Sequence, residues 1–375
     1  MHAKLVKRIL DLAVTIQQIP GPTFGEAARA AFMTDQFNSL ALEDVSTDKM
    51  GNVYGRLPGA GAARPLIVSA HIDTVFSGET DLKISRAPGR ISGPGIGDNS
   101  LAAAGLCGLV WALQEQRRSL PGDLWLVANV AEEGLGDLAG MRAVVDRFGQ
   151  QPLAYLALEG MGYGRVYHRG LGVRRYRVTV NTQGGHSWVD FGKPSAIHEL
   201  AAFITQLNTI ILPVFPRTTL NAGVISGGTS VNTIASQAEI QLDLRSEDHA
   251  QLERLSTIVK DMVKSANREG VLVSAKVIGD RQAAEIGVNH VLVKLAQRVL
   301  ENQGVKADLN IGSTDANVPL SRGLPAICIG LTRGGKAHTT REYIHTRPVK
   351  SGMEQLLGIV QGAYEALTQG PIREK

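Results

Sequence analysis

The sequence contains few cysteines, and none of them form a closely spaced pair. Among its 375 residues only two are cysteines, Cys107 and Cys328, and both fall in apolar segments. Without a C-x-x-C motif, neither a disulfide framework nor a thiolate zinc site is predicted. Buried free thiols of this kind act as small hydrophobic side chains.

The excess of basic charge is small, and aromatic residues are scarce. Lysines and arginines number 39 against 35 acids, and aromatic residues make up 5% of the chain. A nucleic-acid surface requires clustered basic side chains together with stacking aromatics. The densest basic run, residues 174–177, lies within an alternating strand pattern that favours a solvated strand face. We therefore expect no nucleic-acid partner.

Long apolar segments are also missing. The longest apolar run, residues 101–113, is too short and too rich in alanine and glycine to span a bilayer. Residues 1–19 predict an amphipathic helix that lacks the apolar core and small-residue cleavage site of a secretory signal. We expect a cytoplasmic protein with no membrane partner.

Apolar runs alternate with helical spacing up to about residue 170, and this pattern resumes near residue 285. Buried strands are predicted at 66–70, 124–130 and 155–158, with helices at 98–116 and 139–147 between them. The alternation is typical of an α/β layer with a mostly parallel sheet flanked by helices. The length fits one large domain or two ordinary ones.

The pattern changes between residues 171 and 284. Strands are predicted at 172–182, 217–225, 231–245 and 271–277, with helices at 195–211 and 247–265. The order β-α-β-β-α-β is that of the ferredoxin-like, split β-α-β unit. We therefore predict an α+β domain of residues 171–284 inserted into a domain formed by residues 1–170 and 285–375.

Acids and histidines stand at the ends of the predicted α/β strands and in nearby loops. In chain order they are His71, Asp73, Asp98, Glu132, Glu133, Glu159 and His338. Taken singly, Asp98 could cap a helix, Glu132 and Glu133 could be solvated loop charges, and His71 could be an ordinary core histidine. Together they are expected to converge, because ligands bind at the carboxyl ends of strands in open α/β sheets. Buried acids at such positions are costly unless a divalent metal binds them.

The motifs around these residues resemble those of the M20 metallopeptidases. The chain carries, in the family's order, His71-Ile-Asp73-Thr, Gly97-Asp98-Asn, Glu132-Glu133-Gly, Glu159-Gly, Gly184-Gly-His186-Ser, Gly312-Ser-Thr-Asp315-Ala and His338-Thr-Thr-Arg-Glu342-Tyr. This group includes glutamate carboxypeptidase, acetylornithine deacetylase, succinyl-diaminopimelate desuccinylase and tripeptidase T. The resemblance extends over essentially the whole chain. It implies a zinc-exopeptidase-like catalytic domain, with the insert as a lid or dimerisation domain.

The resemblance implies two zinc ions per subunit, with cobalt or manganese as substitutes. Asp98 would bridge the two ions. His71 and Glu159 would complete one site, and Glu133 and His338 would complete the other. Nitrogen and oxygen ligands with an open position suit catalytic zinc.

Three further residues are expected to act in catalysis. Asp73 lies two residues after His71, on the same face of an extended segment, so it can hold the imidazole. Glu132 is left as the general base, because adjacent side chains point apart and Glu133 is assigned to the metal. His186 matches the family histidine that reaches the partner subunit's active site and stabilises the oxyanion. That role implies a homodimer formed through the lid domain.

Substrate-binding residues are also implied by the resemblance. Asn232 and Arg245 match family positions that bind a substrate carboxylate, and the stretch around Gly312 would line the pocket with backbone donors. Arg245 could equally be a surface strand arginine, although a guanidinium fits a carboxylate well. The expected substrate is a small peptide or an N-acyl amino acid whose scissile amide lies next to a free carboxylate.

Several alternatives remain beside the prediction of an exopeptidase-like or dipeptidase-like enzyme. Asn99-Ser100-Leu101 stands where many deacylase members have a lysine, which favours a peptidase over an N-acyl amino acid deacylase. A non-catalytic, small-molecule-binding relative would lack a ligand or Glu132, and none is missing. The chain has no G-x-S-x-G motif for a serine hydrolase. The Gly93-x-Gly-x-Gly97 run lacks a third glycine at the right step for a dinucleotide site and has an acid at the phosphate position.

Overall fold

The protein, described here by a computed structural model over residues 1–368, divides into two compact units. The first consists of Met1–Gly170 and the segment that begins at Glu285, and the second is Leu171–Ala284. Each unit contains its own cluster of buried apolar side chains. A separate core of this kind is what defines a domain.

The regular elements are numbered in chain order. The helices are α1 (Ala3–Gln17), α2 (Ala27–Ser39), α3 (Leu101–Gln116), α4 (Ala139–Phe148), α5 (Ala196–Leu207), α6 (His249–Ser265), α7 (Val291–Glu301), α8 (Asn317–Ser321) and α9 (Val349–Thr368). The strands are β1 (Glu43–Thr47), β2 (Val53–Leu57), β3 (Leu66–His71), β4 (Ser85–Ala87), β5 (Arg90–Ser92), β6 (Leu124–Asn129), β7 (Tyr155–Met161), β8 (Arg165–Gly170), β9 (Gly172–Thr182), β10 (Gly185–His186), β11 (Thr218–Gly227), β12 (Thr233–Ile234), β13 (Gln237–Ser246), β14 (Val271–Arg281), β15 (Ala284–Glu285), β16 (Asp308–Gly312), β17 (Ala326–Thr332), β18 (Gly334–Gly335) and β19 (Tyr343–His345).

The large sheet of the first unit has a parallel centre. Its strands follow the order β1-β2-β6-β3-β7-β17-β8-β15, and β16 pairs with β8. The central pairs β6–β3, β3–β7 and β7–β17 are parallel, whereas β1–β2, β2–β6 and β17–β8 are antiparallel. Every residue of β3 and β17 is buried, as expected for parallel strands covered on both faces. The predicted α/β fold with a mostly parallel sheet is therefore confirmed.

Helix α3 is the core helix of the first unit. Its residues from Leu101 to Leu113 are all buried, and a Cβ added at Gly105 or Gly108 would come within 2.4 or 2.7 Å of a neighbouring side chain. Within residues 1–368, one helical segment, Ile96–Gln116, is long and apolar enough to cross a membrane, and 94% of its apolar stretch is buried inside the protein. That burial is the environment of a core helix.

The second unit is an antiparallel sheet covered by helices. Its strand order is β11-β13-β9-β14, and all three pairings are antiparallel. Helices α5 and α6 pack against the apolar residues that alternate along β9 and β13. The polar residues between them lie on the opposite face, because successive side chains in a strand point to opposite sides. The connections follow the β-α-β-β-α-β order.

One strand prediction in the second unit is wrong. Residues 231–245 form two strands, because β12 pairs with β10 and β13 pairs with β9. Between them the carbonyl of Ala235 accepts hydrogen bonds from the Ala196 amide at 2.8 Å and from the Thr182 hydroxyl at 2.9 Å. These bonds interrupt the strand pairing, so β12 and β13 do not form one continuous strand.

Candidate metal centre

The predicted ligands of the first unit gather at one edge of the large sheet. His71 is the last residue of β3, Glu159 lies near the end of β7, and Glu133 follows β6. Because β3, β6 and β7 are parallel neighbours, their carboxyl ends meet at the same edge. Asp98 reaches this edge from the turn before α3, and His338 reaches it from the loop between β18 and β19.

The Asp98 carboxylate lies between two imidazoles. Its Oδ1 is 3.3 Å from Nε2 of His71, and its Oδ2 is 3.1 Å from Nε2 of His338. Each imidazole has a second acid beside it. The Glu159 Oε2 lies 3.8 Å from His71 Nε2, and the Glu133 Oε1 lies 3.3 Å from His338 Nε2. The structure thus brings all five predicted ligands together, with one carboxylate shared between two histidine–glutamate pairs.

The donor atoms and their spacing fit divalent metal ions. Ligand atoms about 2.0–2.1 Å from a tetrahedral zinc lie roughly 3.3 Å from one another. The nitrogen–oxygen distances in the cluster are 3.1–3.8 Å. In addition, one ligand atom from each of His71, Asp98 and Glu133 lies within 4.8 Å of the others. Imidazole and carboxylate ligands suit zinc and other first-row divalent ions alike.

Asp73 connects the end of β3 to the turn that follows β6. Its two carboxylate oxygens accept hydrogen bonds from the backbone amides of Glu132 at 3.0 Å and Glu133 at 2.9 Å. Its Oδ1 also lies 3.4 Å from Nδ1 of His71. Although burial opposes it, these hydrogen bonds hold the pKa of Asp73 below its usual value. Asp73 therefore fixes both an imidazole and the backbone of the Glu132-Glu133 turn.

The cluster concentrates negative charge around its two imidazoles. Burial raises the pKa of Glu159 to about 7, and the neighbouring Asp98 charge adds to this effect while His71 opposes it. Hydrogen bonds to Asp98 and Glu133 raise the pKa of His338 to about 10. Such closely packed acids favour a bound cation.

Glu342 holds the turn that carries Asp98, a role that the sequence did not reveal. Its Oε1 accepts hydrogen bonds from the backbone amides of Gly97 at 2.6 Å and Asp98 at 2.8 Å. Burial and the charge of Asp98 raise the pKa of Glu342 to about 7. These bonds keep Asp98 out of the helix, so the predicted helix start at Asp98 is wrong and α3 begins at Leu101.

Asn99 holds the strand end that carries Glu159. Its side-chain nitrogen donates to the Leu158 carbonyl at 2.9 Å, and its side-chain oxygen accepts from the Gly160 amide at 2.7 Å. The two bonds bracket Glu159 from both sides. In the sequence, Asn99 stands out only because many deacylases have a lysine nearby, whereas in the structure it positions the strand end that carries Glu159.

The loop before α2 and the first turn of α2 also hold the segments that carry this centre. The Thr23 hydroxyl donates to Asp73 at 2.9 Å, and the Glu26 carboxylate accepts from the Ala131 amide at 3.1 Å. The buried Arg29 guanidinium donates to the Ile72 carbonyl at 2.9 Å. Sequence reasoning missed all three side chains.

In the second unit, His186 and Asn232 come together at the small two-stranded sheet formed by β10 and β12. The Ser187 amide donates to the Asn232 carbonyl at 3.0 Å. The His186 Nδ1 accepts hydrogen bonds from the amides of Trp188 at 3.2 Å and Val189 at 3.4 Å. Both His186 and Asn232 are exposed.

Arg245 and Gly312 are the other two predicted substrate-binding residues. Arg245 lies on the polar face of β13, where its Nη2 donates to Asp243 at 2.9 Å. Gly312 ends β16, and a Cβ at this position would come within 2.8 Å of the Tyr167 ring. Close packing against Tyr167 therefore explains the glycine, and its role in lining a substrate pocket stays a prediction.

The α/β sheet and the ligand cluster at its edge define a metal-dependent hydrolase. The family described as Peptidase family M20/M25/M40 matches residues 67–362, which is most of the chain, and the protein belongs to this family.

Individual relatives and solved structures agree with this assignment. A tripeptidase structure from Staphylococcus aureus superposes with a TM-score of 0.80 at 20% identity, covering 96% of this chain and 99% of that one. The Bacillus subtilis YXEP protein, described as a dinuclear metal-binding peptidase of the M20 family, gives a TM-score of 0.71 at 14% identity, covering 97% and 100%. Acetylornithine deacetylase of Salmonella typhi is 28% identical over 49% of this chain and 50% of its own length. The chain thus matches only about half of that deacetylase.

Proposed function

We propose that the protein is a two-zinc hydrolase that cleaves a peptide or N-acyl amino acid amide next to a free carboxylate, as an exopeptidase-like or dipeptidase-like enzyme. The observation that carries this proposal is the Asp98 carboxylate shared by two imidazoles, each with its own glutamate. Asp98 would bridge the ions, with His71 and Glu159 on one and Glu133 and His338 on the other. Bound zinc makes water a nucleophile near neutral pH and polarises the scissile carbonyl.

Glu132 is the proposed general base. It is buried, and the hydrogen bond from its amide to Asp73 fixes its position. The carboxylate of its neighbour Glu133 is directed at His338, and adjacent side chains point apart. Glu132 would take the proton of the attacking water and pass it to the leaving amine.

His186 is proposed to stabilise the oxyanion. Because its Nδ1 accepts two amide hydrogen bonds, the neutral ring carries its proton on Nε2. An N–H donor of this kind is what the negative charge developing on the carbonyl oxygen requires. By family resemblance, His186 would donate to the substrate in the partner subunit's site.

We also propose that the second unit forms a two-fold homodimer. Strand β11 lies at the edge of its sheet, and its Val224 and Ile225 side chains are 52% and 63% exposed. An exposed edge strand with apolar side chains favours pairing with another chain, and two-fold dimers are the commonest assembly.

Subunit mixing tests both the dimer and the role of His186. Glu132→Gln and His186→Ala proteins are each expected to be nearly inactive alone. After subunit exchange, one site of each heterodimer contains an intact Glu132 and an intact His186 from different chains, so part of the activity should return. Labelled subunits followed by native mass spectrometry provide the check on exchange. Proven exchange without recovered activity would contradict a role for His186 in the partner subunit's site.

Arg245 is proposed to hold the substrate carboxylate. Asp243 engages the Nε and Nη2 atoms of its guanidinium, and within residues 1–368 its Nη1 donates no hydrogen bond. The side chain is 41% exposed. Asp243 therefore fixes one edge of the guanidinium and leaves donors for a second carboxylate.

Arg245→Met is expected to lower kcat/KM for a free-carboxylate substrate by about tenfold to a hundredfold, since a charge-assisted hydrogen bond contributes roughly 1.5–3 kcal/mol. Amidating the substrate's C-terminus should cost the wild type a similar factor and the variant little. Arg177→Met is the matched control, because Arg177 pairs with Glu239 at 3.1 Å on the same open face as Arg245. Equal cleavage of free and amidated peptides by the wild type would favour an aminopeptidase and remove Arg245 from the site.

An N-acyl amino acid deacylase is the second candidate function. The similarity to acetylornithine deacetylase supports it, although the match covers half of that protein. Peptide hydrolysis and N-acyl amino acid deacylation would use the same metal centre and the same base. Only the preferred substrate distinguishes the two functions. A screen of dipeptides, tripeptides and N-acyl amino acids with zinc-loaded protein should give the highest kcat/KM for a peptide. A hundredfold preference for N-acyl amino acids would favour the deacylase.

A further inference from the structure

A cavity of about 630 Å³ in the first unit is lined largely by basic side chains. Lys83 and Arg90 come from the β4–β5 hairpin region, and Lys336 and Arg341 come from the loop that also carries His338. Among the described residues that line it, the only acid is Asp81. A concave surface with one sign of charge concentrates the electrostatic potential and attracts counter-ions.

The basic side chains of this cavity lack ion-pair partners in the described part of the chain. Within residues 1–368, none of its four basic side chains forms an ion pair with an acid. A neighbouring cavity of about 650 Å³ is lined by just as many basic side chains, but there the protein supplies acidic partners for three of the four. Lys7 and Arg86 lie 2.5 and 3.6 Å from Asp11. Lys350 lies 3.9 Å from Glu354, outside the cavity lining. The difference indicates that the first cavity is suited to an anion from outside the chain.

One wall of the basic cavity is held in place. The Arg90 guanidinium stacks 3.7 Å above the centre of the Tyr343 ring, and its Nε donates to the Ser92 hydroxyl at 3.1 Å. Strand β5 is in turn paired with β19. Arg90 therefore has a fixed orientation before any ligand arrives, which lowers the entropic cost of binding.

The other wall belongs to the loop that carries His338. Lys336 precedes His338 by two residues, and Thr340 and Arg341 follow it before the buried Glu342. Lys336, Thr340 and Arg341 are all exposed, whereas Arg90 is half-buried. An anion that contacts both walls would join this loop to the β4–β5 hairpin.

We propose that this cavity is a binding site for a small anion bearing carboxylate or phosphate groups, and that its occupant fastens the loop carrying His338. None of the proposed metal ligands is among the residues that line the cavity. Two kinds of anion fit this description, a dicarboxylate and free phosphate. Lysine and arginine bind both, and arginine forms bidentate hydrogen bonds with either group.

Calorimetric titration of the metal-loaded protein with inorganic phosphate and, separately, with glutarate tests the proposal. The Lys83→Gln/Arg341→Gln double variant is expected to bind the preferred anion at least about tenfold more weakly, because two charge-assisted contacts are lost. Lys7→Gln, in the neighbouring cavity, is the matched control and should bind like the wild type. Tighter binding of glutarate would identify a carboxylate ligand, and tighter binding of phosphate would identify a phosphate ligand.

Hydrogen exchange provides the second measurement. The preferred anion should slow exchange of the amides at 336–342 in the wild type and in Lys7→Gln, but not in the double variant. Anions that bind only at the metal centre would bind the double variant and the wild type equally. That result, or the absence of saturable binding, would overturn the proposal.

Discussion

Glu132→Gln is expected to lower kcat by about 10²–10⁴-fold while leaving the metal content unchanged, because a positioned general base typically contributes a factor of that size. The substitution keeps the shape of the side chain and the backbone amide that donates to Asp73. It removes only the carboxylate that accepts the proton. Steady-state kinetics on the peptide found by the substrate screen, together with elemental analysis of the same sample, measure both effects.

Glu133→Gln is the matched control for this prediction. The Glu133 carboxylate lies 3.3 Å from Nε2 of His338, so its loss is expected to weaken metal binding rather than proton transfer alone. The two neighbouring substitutions should therefore have different signatures, one in turnover and one in metal content. Loss of metal in Glu132→Gln with full activity in Glu133→Gln would reverse the two roles.

Removal of metal by a chelator is expected to reduce hydrolysis to the uncatalysed rate and to lower the melting temperature by several degrees. Asp98, Glu133 and Glu159 would then lack the cations that balance their charges. A metal present at 100 times its Kd stabilises the folded state by about 2.7 kcal/mol for one site, and this stabilisation disappears with the metal. Activity and thermal unfolding measured before and after dialysis against chelator provide the test.

Metal replacement completes that experiment. Zinc should restore both the activity and the melting temperature, and cobalt or manganese should restore activity to different degrees, because the same ligands accept these ions. Magnesium is the control, since it prefers an octahedral set of oxygen ligands. Full activity in the chelated protein, with metal absent by elemental analysis, would contradict a metal-dependent reaction.

The sequence predicted the convergence of the metal ligands because regular elements determine it. His71 and Glu159 stand at the ends of strongly apolar strands, and parallel strands place their carboxyl ends at a common edge. The same hydrophobic periodicity predicted the α/β sheet and the β-α-β-β-α-β insert. This local, repetitive pattern located the elements, apart from the division of residues 231–245 into two strands and the start of α3 at Leu101.

The side chains that hold the ligands in place could not be predicted in this way. Glu342 accepts a hydrogen bond from the Asp98 amide across 244 residues of sequence, and Asn99 bonds to backbone 59 and 61 residues away. Thr23 likewise reaches Asp73 over 50 residues. Hydrogen bonds from side chains to partners this far away in sequence leave no periodic pattern, so only the folded chain reveals them.

The position of the basic cavity could not be predicted from the sequence either. Lys83 and Arg341 are far apart in a sequence whose basic residues are scattered, so no sequence pattern indicates this cavity. The pairing of β5 with β19 brings these segments together. Net charge describes the whole chain, whereas binding depends on where folding places each charge.

Elemental analysis of protein purified without chelator tests the central claim most directly. If Asp98 bridges two ions, with His71 and Glu159 on one and Glu133 and His338 on the other, the wild type should contain close to two zinc ions per chain. The count should be made on a sample whose hydrolytic activity is measured in parallel. A fully active preparation containing no stoichiometric metal would contradict the account.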